Sequence, residues 1–326
     1  MSVVEGEARA RLVAECRAVL AHHARTFDLA GLFLPADRLD DAAIVYAFCR
    51  LVDDTIDEAS EREDGVAALR TIEAELDGEA LARPLIAGVK SLAEARGIDP
   101  GVFRELCVGV RGDADGVRIT DDDELVRYCY RVAGTVGLMM CGVMGVTEAE
   151  AGPFALDLGI AMQITNICRD VAEDAGRGRV YLPATRLVAA GVAPESIIMG
   201  RFDRRALSRV VADLLALAER YYASAERGMG FIPGRSRLAI LVASRVYRAI
   251  GLRLGRRGAD PMTGRTVVPG RVKAGWVAAA VASFVAGAAR RRRRAAVHDP
   301  WLHRSLGGLP GADPRALRLR GRLVAA

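Results

Sequence analysis

The chain has 326 residues, 51% hydrophobic and only 5% aromatic, with 46 Lys+Arg against 41 Asp+Glu for a formal net charge of +5. That length and apolar fraction supply a substantial core and exclude a disordered chain. Thirty-four Gly and twelve Pro fall in no repeat period, which excludes collagen-like and low-complexity classes. Fifteen basic and three acidic residues lie from residue 256 onward, so that end carries +12 and the rest of the chain −7. A basic end favours an anionic partner, and an acidic body favours solvated surface or cation sites.

The first residues, MSVVEGEARARL, carry early acids and no apolar targeting core, so the expected location is cytoplasmic. Apolar residues at i, i+3 and i+4 predict helices over 6–25, 39–57, 64–76, 123–145, 154–174, 203–227 and 235–254. Turn signals separate them at Leu34–Asp37, Ile98–Gly101, Gly152–Pro153, Gly176–Gly178 and Ile232–Gly234. No alternating strand pattern and no G-x-G-x-x-G after a strand are present, which argues against a dinucleotide-binding or P-loop domain. The fold class is therefore all-α, a single helical domain over 1–290 followed by a basic C-terminal tail over 291–326.

Two uncharged stretches, 132–147 and 274–289, have 16 residues each, short of the ~20 that span a bilayer. Both are expected to be buried core helices. The second runs into Arg290–Arg294, which opens another reading, docking on an anionic leaflet. Those arginines lack interleaved aromatics, so no nucleic-acid partner is expected. The six cysteines form no C-x-x-C pair and are read as free, buried thiols.

Chemistry concentrates in two segments. In Tyr46-Ala-Phe-Cys-Arg50-Leu-Val-Asp53-Asp54-Thr-Ile-Asp57, helical spacing aligns Tyr46, Arg50, Asp53 and Asp57 in one stripe, with Asp54 turned about 100° away. In Gln163-Ile-Thr-Asn166-Ile-Cys-Arg169-Asp170-Val-Ala-Glu173-Asp174, a second stripe joins Gln163, Asn166, Asp170 and Asp174. Carboxylates one turn apart repel, and in an apolar helix that cost calls for a cation. Oxygen-only donors favour a hard ion, Mg²⁺ first and Mn²⁺ as its substitute. The competing reading is a solvated helix end with arginine ion pairs. Arg50, Arg169, Arg177 and Arg179 suit diphosphate oxygens and can equally pair with the aspartates.

These segments resemble the squalene/phytoene synthase family along nearly the whole chain. The carrying residues are H-A-R-T-F at 23–27, Y-A-F-C-R-L-V-D-D-T-I-D at 46–57, Y-C-Y-R-V-A-G-T-V-G at 128–137, Q-I-T-N-I-C-R-D-V-A-E-D at 163–174, G-R-V-Y-L-P at 178–183 and the helix around Tyr247. The stretch 125–140 and the Arg-rich end near Trp301 look most similar to the bacterial phytoene-forming branch. The resemblance implies the isoprenoid synthase fold around a central cavity. It also implies head-to-head condensation of two geranylgeranyl diphosphates through a cyclopropyl diphosphate, in carotenoid biosynthesis. Asp53, Asp57, Asn166, Asp170 and Asp174 would ligate metal, and Asp54 would complete the catalytic carboxylates. Arg50, Gln163, Arg169, Tyr46 and Tyr247 would contact diphosphate, and His23, Arg25, Thr26 and Phe27 would line a substrate site.

Two alternatives to this reading remain. Two farnesyl diphosphates would give squalene, dehydrosqualene or presqualene diphosphate, and squalene formation would need NADPH whereas phytoene formation would not. A non-catalytic helical assembly protein would show eroded acidic motifs, and both are intact. Ala133, Gly134, Gly137 and Gly142 either leave room for prenyl chains or let helices pack closely. Tyr46, Tyr128, Tyr181 and Phe27 either face a carbocation or fill core, and His22–His23 is read as a solvated or packed pair. A lipidic substrate and a basic end imply peripheral membrane contact.

Overall fold

The computed structural model describes residues 3–23, 29–114, 116–289 and 297–312. Among the described residues the helices are α1 (Val3–His23), α2 (Ala36–Asp57), α3 (Arg62–Asp77), α4 (Pro84–Arg96), α5 (Gly101–Asp113), α6 (Asp122–Cys129) and α7 (Thr135–Val143). They continue with α8 (Gly152–Gly176), α9 (Ala184–Ala189), α10 (Pro194–Ile198), α11 (Arg204–Gly228), α12 (Gly234–Arg256) and α13 (Gly270–Ala289). A single π-turn, Tyr130–Gly134, joins α6 to α7. No strand occurs among the described residues, only one isolated bridge between Arg118 and Val180.

All seven expected helices are present, with ends moved by a few residues. The 123–145 segment alone is interrupted, by the π-turn. Local chemistry sets the ends. Asp121 accepts from the Glu124 N–H at 2.9 Å while Glu124 accepts from the Thr120 N–H at 2.6 Å, a reciprocal cap that starts α6.

Two apolar cores divide the body. One gathers α2, α4, α5 and α7 around Ile44, Phe48, Val89 and Phe103. The other gathers α8 and α11 around Leu156, Ile160, Leu207 and Leu214. Helices α2 and α8 both pack against α7. That common neighbour holds the two acidic motifs on opposite walls of one space.

The small residues make close contacts, and two of them also face open space. A Cβ on Gly137 would meet the Ala155 carbonyl oxygen of α8 at 2.3 Å, and one on Gly142 would meet Ile98 in the α4–α5 connection at 2.5 Å, so both are close packing contacts. Gly137 and Ala133 also line a cavity.

The 274–289 stretch is not a core helix. Ala280 is buried, but Val281 and Val285 are exposed, and α13 rests on α12 through Trp276, Val277 and Phe284. Its alanines and glycines bury too little area for a second covering layer. No helix among the described residues is long and apolar enough to cross a membrane.

Residues 297–312, part of the segment read as a tail, lie against the body. Tyr130 and Tyr221 donate to the carbonyls of Pro310 and Leu302, both at 2.8 Å. The guanidinium groups of Arg220 and Arg304 both lie over the Trp301 ring, 4.4 and 4.2 Å from its centroid. Arg290–Arg294 lies outside the described residues, as do Arg25, Thr26 and Phe27.

Candidate active site

Helix α8 ends where Gly178 adopts φ +73°, a left-handed conformation open to glycine. The Gly178 N–H then donates to Ala175 O at 3.0 Å and the Arg179 N–H to Asp174 O at 2.9 Å, closing a Schellman cap. The reversal brings Arg177 and Arg179 back over the acidic stripe of α8. Arg179 reaches Asp57 at the end of α2, 2.8 Å away, and Arg177 lies 3.5 Å from the same carboxylate. One glycine thus links the two motifs.

The space between them is a polar chamber of about 360 Å³, walled by Asp53, Asp57, Asp113, Asn166, Asp170 and Asp174 together with Arg50, Arg169, Arg177 and Arg179. An apolar cavity of about 350 Å³ adjoins it, walled by residues of α2, α7, α8 and α12 such as Val45, Val136, Met140, Leu158, Met162 and Ala243. Asp53, Val132, Gln163 and Asn166 line both spaces. They form a neck with charge on one side and hydrocarbon on the other.

Electrostatics in the polar chamber are strained in one direction. Asp53 is accessible from the chamber yet crowded by protein, and that desolvation, with the nearby charges of Asp113 and Asp57, pushes its carboxyl up to about 7. Burial and the neighbouring Asp170 and Glu173 push Asp174 to about 7 as well. The Asn166 Oδ1 is buried and has no hydrogen-bond partner. These groups lack positive charge and donors. Arg169 is held by Asp170, its Nε 2.7 Å from Oδ1.

The sequence-predicted residues separate into three groups. Asp53, Asp57, Asn166, Asp170, Asp174, Arg50, Gln163 and Arg169 come together in the polar chamber. Tyr46 and Tyr247 line the apolar cavity near its neck. Asp54 does not line either space; it pairs with Arg50 one turn back, Nε to Oδ2 at 2.8 Å. His23 ends α1 with an exposed side chain and edge-on contact to His22, away from both spaces. Arg25, Thr26 and Phe27 fall outside the described residues.

Two members of the site escape sequence reasoning. Asp113, at the end of α5, accepts from Tyr181 at 3.1 Å and Tyr128 at 3.2 Å. Burial raises its carboxyl to about 6 against the opposing pull of Arg179 and the two hydroxyls. The tyrosines read as carbocation candidates therefore turn their hydroxyls to this carboxylate. Arg265, after α12, lies 3.5 Å from Asp170 and 3.6 Å from Glu173. Neither residue belongs to a helical stripe, and no spacing rule reaches across the fold to them.

Comparison with known proteins shows what the chain is similar to. A family model described as squalene/phytoene synthase matches residues 20–273. A phytoene synthase of Pseudescherichia vulneris is 38% identical over 252 residues, 73% of this chain and 81% of that protein. A phytoene synthase of Rhodobacter capsulatus is 34% identical over 254 residues, 77% of this chain and 75% of that one. Among solved structures, a dehydrosqualene synthase in complex with a ligand superposes with a TM-score of 0.76 at 26% identity, covering 85% of this chain and 98% of the other.

Proposed function

Because the chain belongs to the squalene/phytoene synthase family, we propose that it joins two geranylgeranyl diphosphates head to head into phytoene, releasing diphosphate. The neck carries this reading. Asp53, Gln163 and Asn166 sit where a charged chamber opens into a hydrocarbon one, the shape of an amphiphile with a diphosphate head and an isoprenoid tail.

The polar chamber fits hard divalent cations. Its donors are oxygens, Asn166 Oδ1 is buried without a partner, and Asp53 and Asp174 resist ionisation unless positive charge is added. Asp53, Asp57, Asn166, Asp170 and Asp174 would hold Mg²⁺. Bound there, Mg²⁺ would neutralise charge on the departing diphosphate.

The remaining work falls to the chain's own groups. Arg169, Arg177 and Arg179 already face the chamber through their carboxylate pairs, and they exchange those partners for diphosphate oxygens. Tyr128 and Tyr181 fix Asp113 at the chamber wall. The apolar cavity holds the prenyl tails and keeps water from the allylic cations that ionisation creates. Tyr46 and Tyr247 stand at that boundary, and burial, foremost, keeps both phenols protonated.

Incubating the purified protein with Mg²⁺ and either geranylgeranyl or farnesyl diphosphate, with and without NADPH, tests the reading. The expected product is C40 phytoene, independent of NADPH. The dehydrosqualene synthase neighbour supports a second reading, C30 condensation; a C30 product alone would replace the first. Peripheral membrane contact through the basic end belongs to the same proposal. The full chain should bind anionic liposomes in a salt-sensitive way, and changing Arg290–Arg294 to glutamine should remove that binding.

A further inference from the structure

Asp157 lies on α8, on the part of the helix that precedes the acidic motif, and its side chain is wholly buried. Two imidazoles from the C-terminal segment converge on it. His298 Nε2 stands 2.9 Å from Oδ2 and His303 Nε2 stands 2.8 Å from Oδ1. The two rings are 4.3 Å apart, and the ligand-capable atoms of all three residues lie within 4.8 Å of one another. Burial works against ionisation of Asp157, yet the two histidine contacts outweigh it and keep the carboxyl below its usual range. His303 Nδ1 is buried and makes no hydrogen bond. Each Nε2 donates to the carboxylate in the metal-free arrangement, so a metal ion taken up between the three side chains would replace those two hydrogens.

Two imidazole nitrogens and one carboxylate are a borderline donor set, unlike the all-oxygen chamber further along α8. Around a tetrahedral zinc with bonds of about 2.0–2.2 Å, ligand atoms stand about 3.4 Å apart. The present pairs reach that spacing by opening about half an ångström. By helical rise, Asp157 lies about 20 Å from Asp170, too far to share an ion with it. The Phe154 ring meets the His298 ring edge-on at 5.3 Å and also lines the apolar cavity, so the cluster backs that cavity's wall.

We propose that Asp157, His298 and His303 form a second metal site, selective for a transition metal of the Zn²⁺ type, that clamps residues 297–312 onto α8. It is separate from the Mg²⁺ chamber in place and in ligand chemistry.

The test uses the full chain carrying a tag without histidine, stripped with chelator and then titrated with Zn²⁺ or Co²⁺. The expected result is one tightly held equivalent, strong visible Co²⁺ absorption from a low-coordinate nitrogen site, and a zinc-dependent rise in Tm. His298→Gln and His303→Gln should each weaken zinc binding more than the about 10–100-fold typical of outer-shell changes. Both variants should still bind Mg²⁺ with diphosphate, which shows that they fold. Asp170→Asn should keep the zinc equivalent. Failure of the wild-type chain to retain zinc would overturn the proposal. So would a zinc equivalent that survives His303→Gln and disappears in Asp170→Asn.

Discussion

Gly159→Ala tests whether the cavity wall is built from backbone in contact with backbone. A Cβ at this position of α8 would sit 2.2 Å from the Ala133 carbonyl oxygen, 2.6 Å from its carbon and 2.8 Å from Gly134 Cα. All three atoms belong to the main chain of the π-turn, so no side-chain rotation relieves the clash. Helix α8 must retreat by about 1 Å, and overpacking of this kind costs roughly 1–3 kcal/mol, here near the upper end. The better helix propensity of alanine returns about 1 kcal/mol. The net loss is about 2 kcal/mol, equivalent in a chain of this length to a Tm lowered by roughly 3 °C. Gln163 lies one turn beyond Gly159, so the retreat also displaces the neck, and a misplacement of about 1 Å costs on the order of 100-fold in kcat/KM. Thermal unfolding and turnover of labelled geranylgeranyl diphosphate read the two effects. Gly275→Ala in α13 is the control: nothing lies within 4 Å of its Cβ, so that variant should hold or raise the Tm. A Gly159→Ala protein at least as stable as wild type would refute the reasoning.

Asp53→Asn should leave the fold intact, lower turnover at least about 100-fold and raise the Mg²⁺ concentration for half-maximal rate, measured by steady-state kinetics over a metal titration. At limiting Mg²⁺ the rate should rise with pH through about 7, where Asp53 and Asp174 lose the protons that compete with the cation, and raising Mg²⁺ should move the midpoint to lower pH. Without divalent cations the sign reverses for stability. A carboxyl pKa raised from 3.8 to about 7 on folding means that the folded state takes up protons between those values. Metal-free protein should therefore melt at a higher temperature at about pH 6 than at about pH 8, by calorimetry. Arg96→Met should destabilise the chain by about 2 kcal/mol in urea unfolding, because among the described residues it leaves the buried Asp41 with the 3.2 Å contact to Arg9 alone.

The helices and the acidic stripes were legible because both rest on a period of 3.6 residues, which the sequence displays directly. Arg50 shows where that stops. It falls in register with Asp53 at one spacing and with Asp54 at another, and only packing selects Asp54. Asp113 and Arg265 join the site from α5 and from the loop after α12 by tertiary convergence, which carries no local signature. The 274–289 helix misled for a different reason. Its Ala and Gly content is uncharged without being strongly hydrophobic, so absence of charge did not mean burial. His298 and His303 looked like tail residues until Asp157 supplied their partner.

That partnership orders events during synthesis. Asp157 and His303 are separated by 146 residues. At roughly 5–20 residues per second, the ribosome makes the second about 7–30 s after the first. Throughout that interval α8 carries a carboxylate whose native partners do not yet exist. The face of α8 that backs the apolar cavity is therefore braced only after residues 298 and 303 are made, and a nascent chain halted before residue 297 holds both acidic motifs without that brace.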